Sequence, residues 1–242
     1  MDAELLAKKL SGWIKDRVLA AGCRGIVLGM SGGIDSSVLA ALCIKAFPDS
    51  TLGLIMPCHS INEDSVHAEA AAKKFSVPVK TVILNGIYDA LLQILPDFKS
   101  DASLSRLAQA NLKARLRMVT LYHAANQMKY LVAGSGNRSE ITVGYFTKHG
   151  DSGVDILPLG NLVKKEVREL ARFLKVPPAI IDKPPSAGLW EGQTDEAEMG
   201  FTYEALDRYI LTGSAPEELK KRIEALKAAG AHKRTAPPIP QF

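Results

Sequence analysis

The stretch Gly29-Met30-Ser31-Gly32-Gly33-Ile34-Asp35-Ser36-Ser37 constrains this chain more than any other. It follows the apolar run Ile26-Val27-Leu28, which reads as a buried β-strand. It precedes Val38-Leu39-Ala40-Ala41-Leu42-Cys43-Ile44, which reads as a helix. A strand that breaks into glycines and restarts as a helix makes an anion site. The glycines let backbone N–H groups approach a phosphate, and the helix dipole adds partial positive charge. No Gly-Lys-Ser/Thr follows the glycines, so this is not a Walker loop, and the spacing is not GxGxxG either. Ser31, Ser36 and Ser37 supply hydroxyls and Asp35 a carboxylate. An acid beside bound phosphates repels them unless a cation lies between. The plainer reading is a glycine turn in which Asp35 caps the helix.

The rest of the chain alternates strand and helix signals. Residues 3–21 carry Leu6, Leu10, Trp13, Ile14 and Val18 at helical spacing, with Trp13 assigned to core or interface packing. Thr51–Met56 reads as a second strand stopped by Pro57, and Ser60-Ile61-Asn62-Glu63 as a capping box opening a helix to about Phe75. Residues 78–84 read as a third strand, followed by a short helix to Leu95. After a polar loop, a long helix is expected over about 103–127, then a fourth strand at Tyr130–Ala133. Residues 134–162 are glycine-rich with little periodicity. Asn161 is placed as the cap of a helix over 163–174, and 176–200 as one long loop. Helices at about 202–211 and 215–229 precede an extended tail, about 231–242. The pattern is α/β: a parallel, doubly wound, Rossmann-like sheet with helices on both faces, in one domain over 1–242. Ligands bind beyond the carboxyl ends of such strands, so residues 29–37, 56–60 and 134–140 should surround one crevice.

A second glycine cluster, Gly134-Ser135-Gly136-Asn137-Arg138-Ser139-Glu140, follows the fourth strand and ends in an acid. Mg²⁺ takes one or two carboxylates plus substrate phosphates, so Asp35 and Glu140 are candidate ligands of one ion. The alternative is that Glu140 merely caps a turn. Net charge is +4, which suits anionic small molecules and is too weak to argue for nucleic acid. Cys23, Cys43 and Cys58 form no CxxC, which argues against a zinc site and for a reduced cytoplasmic compartment. No signal-peptide core and no run long enough for a bilayer is seen, so no membrane partner is expected.

The pattern SGGIDSS resembles the PP-loop of the ATP pyrophosphatases, a group with the adenine nucleotide alpha hydrolase-like fold. Asn111-Leu112-Lys113-Ala114-Arg115-Leu116-Arg117-Met118 is similar to the NxKARxRM signature of the NAD synthetases. So is Glu140-Ile141-Thr142-Val143-Gly144-Tyr145-Phe146-Thr147-Lys148-His149-Gly150-Asp151, continuing through Asp155-Ile156-Leu157-Pro158-Leu159. Lys183-Pro184-Pro185-Ser186-Ala187-Gly188-Leu189, Gln193-Thr194-Asp195-Glu196 and His232-Lys233-Arg234 complete the series in family order. It is the stand-alone, ammonia-using form that the chain resembles.

That resemblance implies roles position by position. Gly29, Met30, Ser31, Gly32, Gly33, Ile34, Asp35 and Ser36 bind ATP, with Ser135 at an ATP-contacting position and Asp35 and Glu140 on Mg²⁺. Lys164 and Ser186 match residues on the ATP phosphates, where they stabilise the reaction without a protein nucleophile. Arg115, Lys148, Asp155, His232 and Lys233 match residues that bind deamido-NAD⁺. The partners implied are ATP, deamido-NAD⁺, ammonia and a second copy of the chain in a homodimer. For the base that handles ammonia, Asp151 and Asp155 are the only guesses. Gly188 stands where many members have an acid, and Ser152 interrupts a common Gly-Asp-Gly-Gly turn. Lys164 has a physical argument of its own: a cation in the first turn of a helix opposes the dipole unless an anion is present. The competing readings are a tRNA-modifying PP-loop enzyme and a non-catalytic adenine-nucleotide-binding module. The first wants catalytic cysteines or a strongly basic extra domain. The second has no need of Glu140, Arg115 and Lys148 in register.

Overall fold

The computed structural model describes residues 2–96, 98–99, 101–186, 192 and 194–241. Its centre is a four-stranded parallel sheet in the order β3-β2-β1-β4. These strands are β1 (Ile26–Gly29), β2 (Thr51–Ile55), β3 (Val79–Thr81) and β4 (Leu131–Ala133). Ile26 of β1 pairs with Thr51 on one side and Leu131 on the other, and a parallel bridge from Ala133 to Ile156 extends the far edge. β1, β2 and β4 are largely buried runs because both faces are covered, whereas the edge strand β3, Val79-Lys80-Thr81, is exposed at every position.

One helical layer holds α1 (Ala3–Ala20), α2 (Ile34–Ala46), α3 (Asn62–Phe75) and α7 (Lys164–Leu174). Ile26 and Leu28 of β1 point into it, beside Ile14, Leu42, Ala68 and Leu170. The other layer holds α4 (Asn85–Ile94) and α5 (Ala102–Met128), where Val27 and Val132 meet Leu121 and Ala125. Successive strand residues thus go to opposite faces. A third apolar cluster joins α6 (Arg138–Val143), α9 (Asp195–Met199), α10 (Tyr203–Thr212) and α11 (Glu217–Ala229) through Val143, Met199, Leu206 and Ile223. The short α8 (Pro178–Ile181) anchors through Ile180.

Several local expectations are corrected. The capping box at Ser60 does not form: α3 begins after Ile61 without a side-chain cap. Ser60 Oγ instead accepts from Cys58 N and Arg117 Nη2, because an arginine from α5 reaches it first. The regular third strand is only Val79–Thr81. Its continuation still bonds at Val82 N→Ile55 O and Leu84 N→Pro57 O. The irregular 134–162 segment contains α6, opened by a capping box between Asn137 and Glu140. Asn161 does not cap α7; the Glu166 carboxylate accepts from Val163 N at 2.9 Å instead. The proline-rich 176–200 stretch contains α8 and α9. Trp13 is 39 % exposed with the Arg17 guanidinium 5.9 Å over its ring, so it is not core. The tail makes one 3₁₀ turn at Ala231–Lys233 before extending.

Candidate active site

The glycine loop between β1 and α2 is held by its own hydroxyls. Ser31 Oγ lies 3.0 Å from Ser36 Oγ and accepts from Gly33 N at 3.2 Å. Ser36 and Ser37 Oγ donate to Gly33 O at 3.0 and 2.9 Å. Gly32 has φ +79°, and a Cβ there would fall 2.2 Å from Asp64 O, so both conformation and space require glycine. Met30 N, Ser31 N and Gly33 N are held by Leu54 O, Ser36 Oγ and Ser31 Oγ, which fixes the loop at the amino end of α2, where an anion is favoured.

Asp35 and Glu140 come from separate elements and meet. Asp35 sits in the first turn of α2, and Asn137 Nδ2 donates to its Oδ1 at 2.9 Å across 102 residues. Glu140 both caps and points inward: its Oε2 accepts from Asn137 N at 3.3 Å, leaving Oε1 for the site. Lys164, the first residue of α7, places Nζ 2.6 Å from Asp35 Oδ2 and 3.1 Å from Glu140 Oε1. Its side chain is 2 % exposed. Burial pushes the Glu140 carboxyl up to about 7, against the pull of the Lys164 ammonium. Burial works to lower Lys164 too, but Asp35 and Glu140 outweigh it and keep the amine protonated. Above neutral pH the Glu140 carboxylate and the Lys164 ammonium thus face each other as charges.

A second group of side chains closes around these; Asp195 belongs to the motif Gln193-Thr194-Asp195-Glu196, while Tyr203 and Asp207 are unmarked in the sequence. The Tyr203 hydroxyl donates to Asp195 Oδ2 at 2.8 Å and lies 3.4 Å from Glu140 Oε1, with the Lys164 ammonium 4.9 Å from its ring centre. Asp195 is 4 % exposed, its Oδ1 has no hydrogen-bond partner among the described residues, and burial raises its pKa. Asp207, buried on α10, accepts from Ser139 Oγ at 2.5 Å and from Lys165 N at 2.7 Å. Ser139 Oγ in turn accepts from Lys164 N at 3.0 Å. One carboxylate so ties the start of α6, which carries Glu140, to the start of α7, which carries Lys164. The α7 amino terminus stabilises that buried charge.

These groups border a cavity of about 970 Å³ at the carboxyl ends of β1, β2 and β4. Gly29, Met30, Ser31, Gly33, Ile34, Asp35, Ser36, Ser135, Glu140, Lys164 and Ser186 line it, with Gly32 just behind the loop. Lys183 Nζ bonds Asp64 Oδ1 at 2.6 Å, tethering the segment that carries Ser186 to α3. Ala187, Gly188, Leu189 and Gln193 lie outside the described residues.

The residues matched to deamido-NAD⁺ are brought together less completely. Lys233 lines the cavity and donates to Gly144 O and Phe146 O at 2.9 and 2.8 Å. Arg115, Lys148, Asp155 and His232 stand outside it, the first two and His232 as a linked set. Arg115 Nη2 donates to Lys148 O at 3.3 Å, and Lys148 Nζ to His232 O at 2.8 Å. Asp155 accepts from the Tyr122 hydroxyl at 2.9 Å and from Val132 N at 2.8 Å, so both its oxygens are engaged. Asp151 lines the cavity, and its Oδ1 accepts from Thr147 N at 2.7 Å. Ser152 Oγ donates to Thr147 O at 3.0 Å, closing the same turn that its presence had put in question.

Sequence reasoning missed Arg117, which lines the cavity and donates to Met56 O at 3.1 Å. A signal was there: Ala110, Ala114, Leu121 and Ala125 are the buried stripe of α5, and residue 117 falls in that stripe's register. For Asn137 the N-x-x-E spacing to Glu140 was the available signal. Nothing local marks Tyr203 or Asp207.

With this geometry in hand, comparison with known proteins is specific. The family model described as NAD synthase matches residues 6–237. An NH(3)-dependent NAD(+) synthetase from Carboxydothermus hydrogenoformans is 48 % identical over 235 residues, covering 97 % of this chain and 96 % of the relative. Among solved structures, an NMN synthetase from Francisella tularensis aligns with a TM-score of 0.93 at 36 % identity, covering 100 % of both chains. An NH3-dependent NAD synthetase from Campylobacter jejuni aligns with a TM-score of 0.81 at 28 % identity, again over 100 % of both.

Proposed function

The chain belongs to the NAD synthase family, and from that premise we propose how its cavity performs the family's reaction. The protein is an ammonia-dependent NAD⁺ synthetase, a ligase that forms a C–N bond at the expense of ATP. A carboxylate oxygen of the nicotinate of deamido-NAD⁺ attacks the α-phosphorus of ATP, and pyrophosphate leaves. Ammonia then attacks the acyl carbon of the adenylate, and AMP leaves. Neither step needs a protein nucleophile, so the protein's part is positioning and electrostatic stabilisation.

The observation that carries the assignment of roles is the convergence of Asp35 and Glu140 on one cationic point beside the glycine loop. Two carboxylate oxygens aimed at one position are the donor set that Mg²⁺ accepts alongside phosphates. When bound, Mg²⁺ supplies charge neutralisation to the departing pyrophosphate. The loop from Gly29 to Ser36 holds the ATP phosphates, with Ser135 at the nucleotide. Lys164 and Ser186 contact the phosphates from the opposite wall. Arg115, Lys148, Asp155, His232 and Lys233 bind deamido-NAD⁺. Support for a shared site comes from four of these five standing outside the cavity. It also comes from an exposed apolar face on α4 and α5 that includes Ile87, Ile94, Leu104 and Val119. A homodimer that covers this face would complete the site. A single domain and a cytoplasmic location, with free thiols at Cys23, Cys43 and Cys58, complete the reading. No helix among the described residues is long and apolar enough to cross a membrane.

The test is incubation with ATP, deamido-NAD⁺ and ammonium, with products identified. NAD⁺, AMP and pyrophosphate in equal amounts are expected. Pyrophosphate release independent of deamido-NAD⁺ would count against the assignment. Sedimentation showing an active monomer would remove the dimer.

One observation favours a second acceptor. The backbone follows an NMN synthetase more closely, at a TM-score of 0.93, than an NAD synthetase, at 0.81. The same chemistry on nicotinate mononucleotide gives NMN, because the adenosine half of the dinucleotide takes no part in either bond-making step. The ratio of kcat/KM for the two acceptors, measured on one preparation, decides between them.

A further inference from the structure

Asp35 and Glu140 leave room between them for one positive charge, and an ammonium has it. Lys164 Nζ stands 2.6 Å from Asp35 Oδ2 and 3.1 Å from Glu140 Oε1. Mg²⁺ held by the same two oxygens needs roughly 2.0–2.1 Å to each. An ion shared by those two oxygens would compete with the ammonium for them. Two cations crowded there, beside a side chain 2 % exposed, repel strongly, because little water screens them. Ion and ammonium exclude each other.

The surroundings decide when they can exchange. Lys164 opens α7, and its backbone N–H is fixed on Ser139 Oγ at 3.0 Å, so the side chain moves about a pinned root. The helix dipole disfavours a cation at this end, and Asp35 and Glu140 are what hold it. The Tyr203 ring, 4.9 Å from the ammonium, offers a face across which the cation can shift. A free metal ion that displaced the ammonium would leave a buried charge without its partners, at high cost. Metal arriving with a nucleotide brings phosphates that give the ammonium new anions at the same moment.

We propose that Lys164 is a place-holder cation: it neutralises Asp35 and Glu140 in the nucleotide-free protein and passes to the ATP phosphates as the divalent ion enters. The site accordingly takes its metal as the nucleotide complex and not as the free ion. Lys164 then acts twice in the reaction, first as a substitute for the metal and later as a ligand of the leaving group. This rests on the reading of Asp35 and Glu140 as metal ligands.

The experiment is a Mn²⁺ titration followed by electron paramagnetic resonance and calorimetry, with and without a non-hydrolysable α,β-methylene ATP. Wild-type protein alone is expected to show no saturable site up to about 1 mM Mn²⁺, and one site once the analogue is present. Lys164→Met is expected to bind Mn²⁺ without nucleotide, at least about tenfold tighter than wild type. Mn²⁺ should also raise the melting temperature of that variant while leaving nucleotide-free wild type unmoved. Saturable binding by nucleotide-free wild type, with the affinity seen beside the analogue, overturns the proposal. That result is the one expected if Asp195, whose Oδ1 has no hydrogen-bond partner among the described residues, receives the displaced ammonium. The wild-type titration is decisive even where Lys164→Met fails to fold. Glu140→Gln separates the two levels: unchanged Mn²⁺ affinity of its nucleotide complex removes the ligand assignment itself, whatever Lys164 does.

Discussion

Between Ser31 and Ser37, none of the side-chain hydrogen bonds that shape the phosphate loop spans more than five residues. Across the cavity the acid cluster is made the opposite way. Asp35 is held by Lys164 from 129 residues away and by Asn137 from 102. Glu140 faces Tyr203 across 63 residues, and Ser139 meets Asp207 across 68. The loop is shaped by its own residues and needs the fold mainly to aim it. The cluster exists only where α2, α6, α7 and α10 are docked together. Damage to the loop should therefore register as local strain. Damage to the cluster should register as lost chemistry, with effects that spread between residues far apart in sequence.

The largest expected effect breaks the cluster at its centre. Glu140→Gln keeps the shape and removes the charge, and turnover should fall about 10²–10³-fold, the scale of losing one preorganised electrostatic contact. A circular dichroism melt should show the fold retained. The same variant reports on pH. The Glu140 carboxyl is raised from 4.5 to about 7 in the folded protein, so the folded state binds the proton more tightly. Stability from this group is present below about 4.5 and lost as pH rises through about 7. Urea midpoints across that window should decline in wild type and flatten in Glu140→Gln.

Next comes a break in the loop. Gly32→Ala forces a side chain into φ +79° and into Asp64 O at 2.2 Å. Unfolding free energy should drop by about 1–3 kcal/mol, with weaker ATP binding. An unchanged urea midpoint would show that α3 yields freely, and the loop would then not be the rigid partner in the comparison.

A smaller effect sharpens the contrast. Asp207→Asn keeps one acceptor oxygen and sets a donor against the other of Lys165 N and Ser139 Oγ, which should cost about 1–3 kcal/mol of stability. Asp207 borders neither substrate in this reading, yet kcat should fall along with stability, since it joins the Glu140 and Lys164 helices. The smallest effect is back in the loop. Ser37→Ala removes one bond to Gly33 O at 2.9 Å and should cost about 0.5–1.5 kcal/mol, with kcat nearly unchanged.

The same contrast explains what could be read before the structure was known. The phosphate loop was legible as physics, because its glycines, hydroxyls and flanking strand and helix are consecutive. The parallel sheet was legible because short strand runs are separated by helical periods. Asp35 and Glu140 could be paired on the rule that strand ends face one crevice, and they do meet. The Ser60 capping box failed because a local motif lost its hydroxyl to an arginine 57 residues away. The helix at Arg138–Val143 was missed because six residues are too few for periodicity to register.

By itself, then, the sequence determined the glycine loop between a strand and a helix, the α/β alternation and the choice of two acids after strand ends. Each of these is read from residues that are neighbours along the chain. The tertiary structure alone decided that Lys164 would lie between those acids, that Tyr203 and Asp195 would roof them, and that Asp207 would lock the two helices. It also left Arg115, Lys148, Asp155 and His232 on a face outside the cavity. The physical reason is range. Backbone dihedrals and hydrogen bonds within a loop are set by neighbours. The pairing of buried charges is set by which helices the apolar core brings together, and no single stretch of chain encodes that.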